Sequence, residues 1–368
     1  MSKKLEIVLK TTLSLVEQFQ STLSSAPINP RPAPSDNDIN DPLPLLSSSS
    51  TALKSHVTKL SLLAITSPFT PSAVTTVLST LNDSVLPSLV TASLLITPES
   101  HTRAFQTEIR VLAGTALKET ALLLKEVQVI AEEKADKKNL DQAEKGTVTV
   151  AAGRVWDACD VLVDVATKGV IGFVVRRAEE YRDLVRDAVD EIEQWDPDEE
   201  DDFYDDLLGD EGAADKNGDG GDSEEDDDED SAAQLARKKG ALRILKPVAQ
   251  IYPAIISNRL KKAPAPLVPS QVKTLEALVK SLQQIPNHVD EVAGALYEDD
   301  VDKYTCQLGK AKSSALKAVG LITFPWGSKP NSSEQDAGDK FTIWSKTWIK
   351  VIEEVSKSTD GSNNSKSS

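Results

Sequence analysis

The sequence predicts an all-α protein: two packed helical bundles joined across an acidic disordered strap. Three observations carry that reading. Apolar residues recur at steps of three and four over long stretches, the signature of amphipathic helices. Aromatics make up only 5% of 368 residues while Leu, Val and Ala abound, a mixture that suits helices packed on helices better than sheets. Charge is also confined: between Asp196 and Asp230 lie 20 of the 58 acidic residues and one of the 41 basic ones, Lys216, so this segment carries −19 and the rest of the chain +2. With 39% hydrophobic residues, the flanking parts have enough apolar surface to bury real cores.

The first helix is expected over 3–23, where Leu5, Leu9, Leu13, Val16 and Phe19 keep helical spacing. A Pro/Ser-rich loop is expected over 24–50, because Pro27, Pro30, Pro32, Pro34, Pro42 and Pro44 interrupt helical hydrogen bonding. Helices resume over 51–66, and Thr70-Pro71 and Thr97-Pro98 mark later starts, with Thr as cap and Pro at the first helical position. A stripe of Phe105, Ile109, Leu112, Ala116, Leu123, Val127 and Ile130 defines a helix over 105–134. The clearest pattern runs over 155–192, with Gly169 and Gly172 as points of bending or splitting and a stop at Trp195, since Asp196 precedes Pro197. Beyond the strap, helices are expected over 232–262, broken near Pro247 and Pro253, and over 272–285, 289–296, 301–321 and 341–355. The predicted organisation is an N-terminal bundle over 1–195, an acidic linker over 196–235, C-terminal helices over 236–358 that complete the second bundle, and a disordered tail over 359–368.

Few reactive constellations are available. Cys159 and Cys306 are far apart and outside CxxC spacing, so neither a disulfide framework nor a zinc site is indicated. His56, His101 and His288 fall on separate elements with no ligand partners at metal spacing. Nucleotide loops and nucleophile elbows are absent, so the chain reads as non-enzymatic, with no cofactor. Asp215, Asn217, Asp219 and Gly220 fit the start of a calcium loop, but Asp222 and Asp226 stand where an apolar residue and Glu belong. The amino terminus carries charge where a signal peptide needs its apolar run, and no segment offers ~18 consecutive apolar residues, so a soluble chain that is not secreted and not in a membrane is expected.

The run VWDACDVL (with Val155, Trp156, Ala158 and Cys159), then RRAEEYRDLVRDAVDEIEQW and an acidic insertion, resembles the signature stretch of the GCIP family, the Grap- and cyclin-D-interacting proteins. LLITPESHTRAFQTEIRVLAGTALKETALLLKEV before it, and LRILKPVAQIYPAIISNRLKK and VDEVAGALYED after it, are similar in the same order. The resemblance implies two helical bundles akin to vinculin and talin modules. It also implies a non-enzymatic regulator of the cell cycle or transcription that binds cyclin-type or helix-loop-helix partners, makes no direct contact with nucleic acid, and occurs in cytoplasm and nucleus. The strap alone suggests a different function, an acidic chaperone shielding basic proteins such as histones. Within the strap, Phe203, Tyr204, Leu207 and Leu208 form a candidate docking element among aspartates, for a partner or for the chain's own second bundle. Ser223, followed by Glu224, Glu225 and Asp226, is a candidate site for an acidophilic kinase. The oligomeric state is left open.

Overall fold

The computed structural model describes residues 2–25, 41–133, 140–196, 224–327 and 339–363. Among them every regular element is helical, and no strand occurs. Contacts divide the chain into two units, Met1–Phe173 and Val174–Ser368.

In the first unit, α1 (Lys3–Ser24) buries Leu5, Leu9, Thr12, Val16 and Leu23, a stripe worth on the order of 2 kcal/mol per large apolar side chain. It packs on α6 (Arg103–Glu133) and on α3 (Pro71–Thr80). α3 runs through a π-helical stretch, Leu81–Val85, into α4 (Leu86–Leu95). The wider turn lies just before Pro87, whose missing N–H and bulky ring disturb an α ladder in any case. α2 (Pro42–Ile65) packs on α4. A short turn, α5 (Pro98–His101), leads into α6, with Gln106 Nε2 donating to the Ile96 carbonyl at 2.9 Å.

α7 (Gln142–Gln194) passes from the first unit into the second and is interrupted at Gly169, where φ is 64° and ψ −169°. That backbone region is essentially reserved for glycine. Gly172 is constrained differently, since a Cβ there would lie 2.4 Å from the Lys168 Cβ. The expected split at these glycines is thus found at Gly169, and the helix stops at Gln194 beside the expected Trp195. Residues 174–194, grouped by sequence with the first bundle, make their contacts in the second unit.

The second unit continues with α8 (Glu224–Ala249), α9 (Ile251–Asn258), a 3-10 turn (Leu260–Lys262), α10 (Pro269–Tyr297), α11 (Val301–Leu321) and α12 (Lys340–Asn363). α10 and α11 form its most extensive helix pair. Their connection is fixed by Asp300, whose carboxylate accepts from the Lys303 N–H at 2.9 Å. Trp195 meets the edge of Tyr297 at 5.1 Å, and the Tyr297 hydroxyl donates to Glu191 at 3.1 Å.

Several sequence expectations are corrected. α2 starts at Pro42, inside the stretch expected to be loop to residue 50, and the Asp41 carboxylate caps it by accepting from the Leu43 N–H at 3.0 Å. Pro42 and Pro44 are tolerated because first-turn N–H groups have no intrahelical acceptor. The Thr70-Pro71 and Thr97-Pro98 starts hold, but neither threonine side chain caps its helix; Thr70 donates to the Pro68 carbonyl and Thr97 pairs with Ser100. α8 begins at Glu224, ahead of the expected end of the linker. α12 runs on to Asn363 where a tail was expected, because extending an established helix costs little.

The two helices expected either side of Pro286 are one, α10. Proline cannot donate to the carbonyl four residues back, that of Leu282. The buried Tyr252 hydroxyl donates to that carbonyl instead, at 2.9 Å. Tyr252→Phe should therefore cost about 1–2 kcal/mol in urea unfolding, and less in a Pro286→Ala background, where the helix regains its own donor. A cost unchanged by Pro286→Ala would refute the substitution of donors. Gly169→Ala should destabilise by about 1–3 kcal/mol, read in the same assay.

Candidate functional site

Two surfaces stand out, one in each unit. In the second unit an open groove of about 590 Å³ has one wall formed by Lys246, Pro247, Gln250, Pro253 and Ala254, and the other by Trp344 and Trp348 of α12. The prolines create the first wall. Pro247 lies near the end of α8, the helix axis resets at Gln250, and Pro253 follows within α9. Trp348 Nε1 donates to the Pro247 carbonyl at 2.9 Å, which fixes its ring against that break. Trp344 stacks beside Trp348 with centroids 6.1 Å apart and remains partly exposed.

A buried arginine holds the two walls together. Arg259 is 1% exposed and spends all of its N–H groups. Its Nε donates to the Ile322 carbonyl at 2.7 Å, Nη1 to the Asn258 carbonyl at 3.1 Å and to Asp339 at 2.6 Å, and Nη2 to the Thr323 carbonyl and to Asp339, both at 2.8 Å. Its guanidinium carbon lies 4.4 Å from the Phe341 ring centroid, a favourable cation–π arrangement. Asp339 also accepts from the Thr342 N–H at 3.0 Å at the start of α12. Hydrogen bonds from Arg259 hold the Asp339 carboxyl well below the usual carboxylate range, against a smaller opposing effect of burial.

In the first unit, the outward face of α6 carries Val111, Thr115, Lys118, Leu122, Lys125 and Val129, all exposed and separated by alternating steps of four and three. Such steps draw a straight seam along a helix. Its apolar members are 60%, 36% and 41% exposed for Val111, Leu122 and Val129, more than a helix needs to leave in water when its opposite side already fills a core. Two lysines interrupt the seam, so a matching surface is apolar with acidic flanks.

The residues singled out from sequence fall elsewhere. Phe203, Tyr204, Leu207, Leu208 and Ser223, with the calcium-like Asp215, Asn217, Asp219 and Gly220, lie outside the described residues. Val155 and Cys159 are fully buried and Trp156 and Ala158 partly so, which makes that stretch a packing face of α7. The Trp156 Nε1 is buried and has no partner among the described residues. Lys54 of α2 ties down the same region through Asp160 at 2.6 Å. His56, His101 and His288 stay apart, and no group of metal-binding side chains assembles among the described residues. No described helix is long and apolar enough to cross a membrane. Sequence reading missed Arg259 and Asp339, which are 80 residues apart.

The architecture defines an all-helical protein whose distinctive surfaces are helix faces and a groove. Residues 45–198 match the family described as Grap2 and cyclin-D-interacting, N-terminal. That span, which runs from α2 to the end of α7, is similar to the GCIP family, and α6 with its exposed seam lies inside it. No curated protein matches the chain.

Two measurements test these sites. Burial pushes the Cys159 thiol up to about 12, whereas Cys306 is exposed, so a thiol reagent should modify one cysteine in the native protein and both in urea; modification of Cys159 in native protein would contradict its burial. Asp339 has a depressed folded-state pKa, so its stabilisation is complete above the unfolded carboxylate value of about 4 and fades as pH falls through the folded value. The stability gap between wild type and Asp339→Asn should therefore be flat from neutral pH to about 4 and shrink below it. A gap that ignores acid would show that the ion pair contributes nothing.

Proposed function

We propose that this chain is a non-enzymatic regulator that binds cyclin-type or helix-loop-helix partners in cytoplasm and nucleus, in cell-cycle or transcription control. The match of residues 45–198 to the Grap2- and cyclin-D-interacting family carries this reading. The α6 seam supplies a physical means. An amphipathic partner helix lays apolar residues over Val111, Leu122 and Val129, while acidic residues at its edges meet Lys118 and Lys125. Burying three such side chains supplies on the order of 3–5 kcal/mol before ordering costs, which suits a regulatory and reversible complex. The strap's charge of −19 supports a second reading, that of an acidic shield for basic proteins.

Titration against a purified D-type cyclin, with and without Leu122→Asp, tests the first reading. Leu122 is partly exposed, so the substitution should leave the melting temperature nearly unchanged while weakening binding about tenfold or more. Raising ionic strength should reduce this binding only modestly, because apolar contacts persist where surface charge pairs are screened. Cyclin binding that is absent, or indifferent to Leu122→Asp, would count against the seam. Tight binding of histones that collapses with salt would favour the shield.

A further inference from the structure

The groove in the second unit combines an aromatic and proline-lined interior with a basic approach. Lys239 and Arg243 are exposed on α8 at steps that place them in line with Lys246 and Gln250, so the stripe leading into the groove is cationic. Neither Lys239 nor Arg243 forms an ion pair among the described residues. Lys246 pairs with Glu193 of α7 at 2.7 Å. On the other wall Lys340 stands one turn before Trp344. A ligand suited to this surface carries aromatic or leucine side chains set among carboxylates.

The chain contains such a segment, and it starts close by. Glu193, whose carboxylate reaches groove-lining Lys246, is ten residues before Phe203 in the sequence DDFYDDLL, residues 201–208. α7 holds the chain to Gln194 and the described residues end at Asp196, so seven residues lead on to Phe203 and span up to about 23 Å. Lys238 also donates to the Trp195 carbonyl, so the chain is held against α8 until it leaves the described residues.

We infer that the groove lined by Pro247, Pro253, Trp344 and Trp348 is the docking site of the chain's own segment 201–208. Phe203, Tyr204, Leu207 and Leu208 supply apolar groups to the interior, and Asp201, Asp202, Asp205 and Asp206 supply charge to the Lys239, Arg243 and Lys246 stripe. Tethering favours this occupant over any free peptide of the same chemistry, because a short connection sets an effective concentration near the millimolar range. A partner bearing a similar acidic-aromatic motif must therefore displace the segment.

A fluorescent peptide of residues 198–212, titrated into the full chain and into the full chain carrying F203S, Y204S, L207S and L208S, tests this. The substituted chain should bind the peptide about tenfold or more tightly than wild type does, and adding Arg243→Glu with Trp344→Ser should abolish that gain. Circular dichroism and melting curves verify that each variant is folded, and Arg243→Glu alone, an exposed change, gives a partial loss if the double variant unfolds. Absence of binding to either chain, or equal binding to both, overturns the proposal. So does concentration-dependent dimerisation of wild type that the four serine substitutions abolish, because the segment then occupies a second copy.

Discussion

The second unit depends on the buried guanidinium of Arg259. Taking a cation out of water costs several kcal/mol even after relaxation, and only a complete set of acceptors offsets that cost. Here all five N–H groups are used, on three carbonyls and both oxygens of Asp339. These acceptors come from three separate places in the chain: the end of α9, the segment after α11 and the start of α12. Trp326 Nε1 adds a bond at 2.8 Å to the Arg259 carbonyl. A lysine could not reproduce this planar fork. The clamp sets where α12 begins, and therefore where Trp344 and Trp348 stand.

Much of the architecture was legible because helical periodicity is a local signal. The stripes of α1 and α6 predicted their helices closely and that of α7 its C-terminal end, although α7 starts at Gln142, ahead of the expected 155, and α11 was found over the expected 301–321. Two of the misses, at Pro286 and Arg259, depend on a partner far away in sequence. Pro286 reads as a break until Tyr252 is seen donating to Leu282, 30 residues off. Pro42 and Pro44 read as loop because the capping role of Asp41 depends on where the helix begins. Arg259, within NRLKK, reads as one of several surface cations; nothing local marks it as buried. Gly169 was legible as a site of bending, and only the backbone angle shows why glycine is needed there.

The same division applies to the candidate sites. The family stretch was recognisable in sequence, yet Val155 and Cys159 prove to be packing residues of this chain's core. The surfaces that can meet a partner are defined by what the core leaves over. Val111, Leu122 and Val129 are apolar residues on the side of α6 that its bundle does not use. Trp344 stays partly exposed beside the buried Trp348, because Pro247 and Pro253 keep α8 and α9 from forming one straight wall. Helix faces and grooves of this kind recognise other helices and short peptides through apolar area, with charge setting orientation and selectivity.

Hydrogen exchange of α12 in wild type and in Arg259→Leu measures most directly whether the clamp positions the groove. Loss of the cation removes the Arg259 donor from the Ile322 carbonyl, leaves the Thr323 carbonyl with the Thr342 hydroxyl alone and takes the ion pair from Asp339, at a cost on the order of 3 kcal/mol. Amides over 343–356 should then exchange about a hundredfold faster, while those of α10 and α11 keep their protection. Equal protection of α12 in the two proteins would contradict the account, because the tryptophan wall would then stand without Arg259.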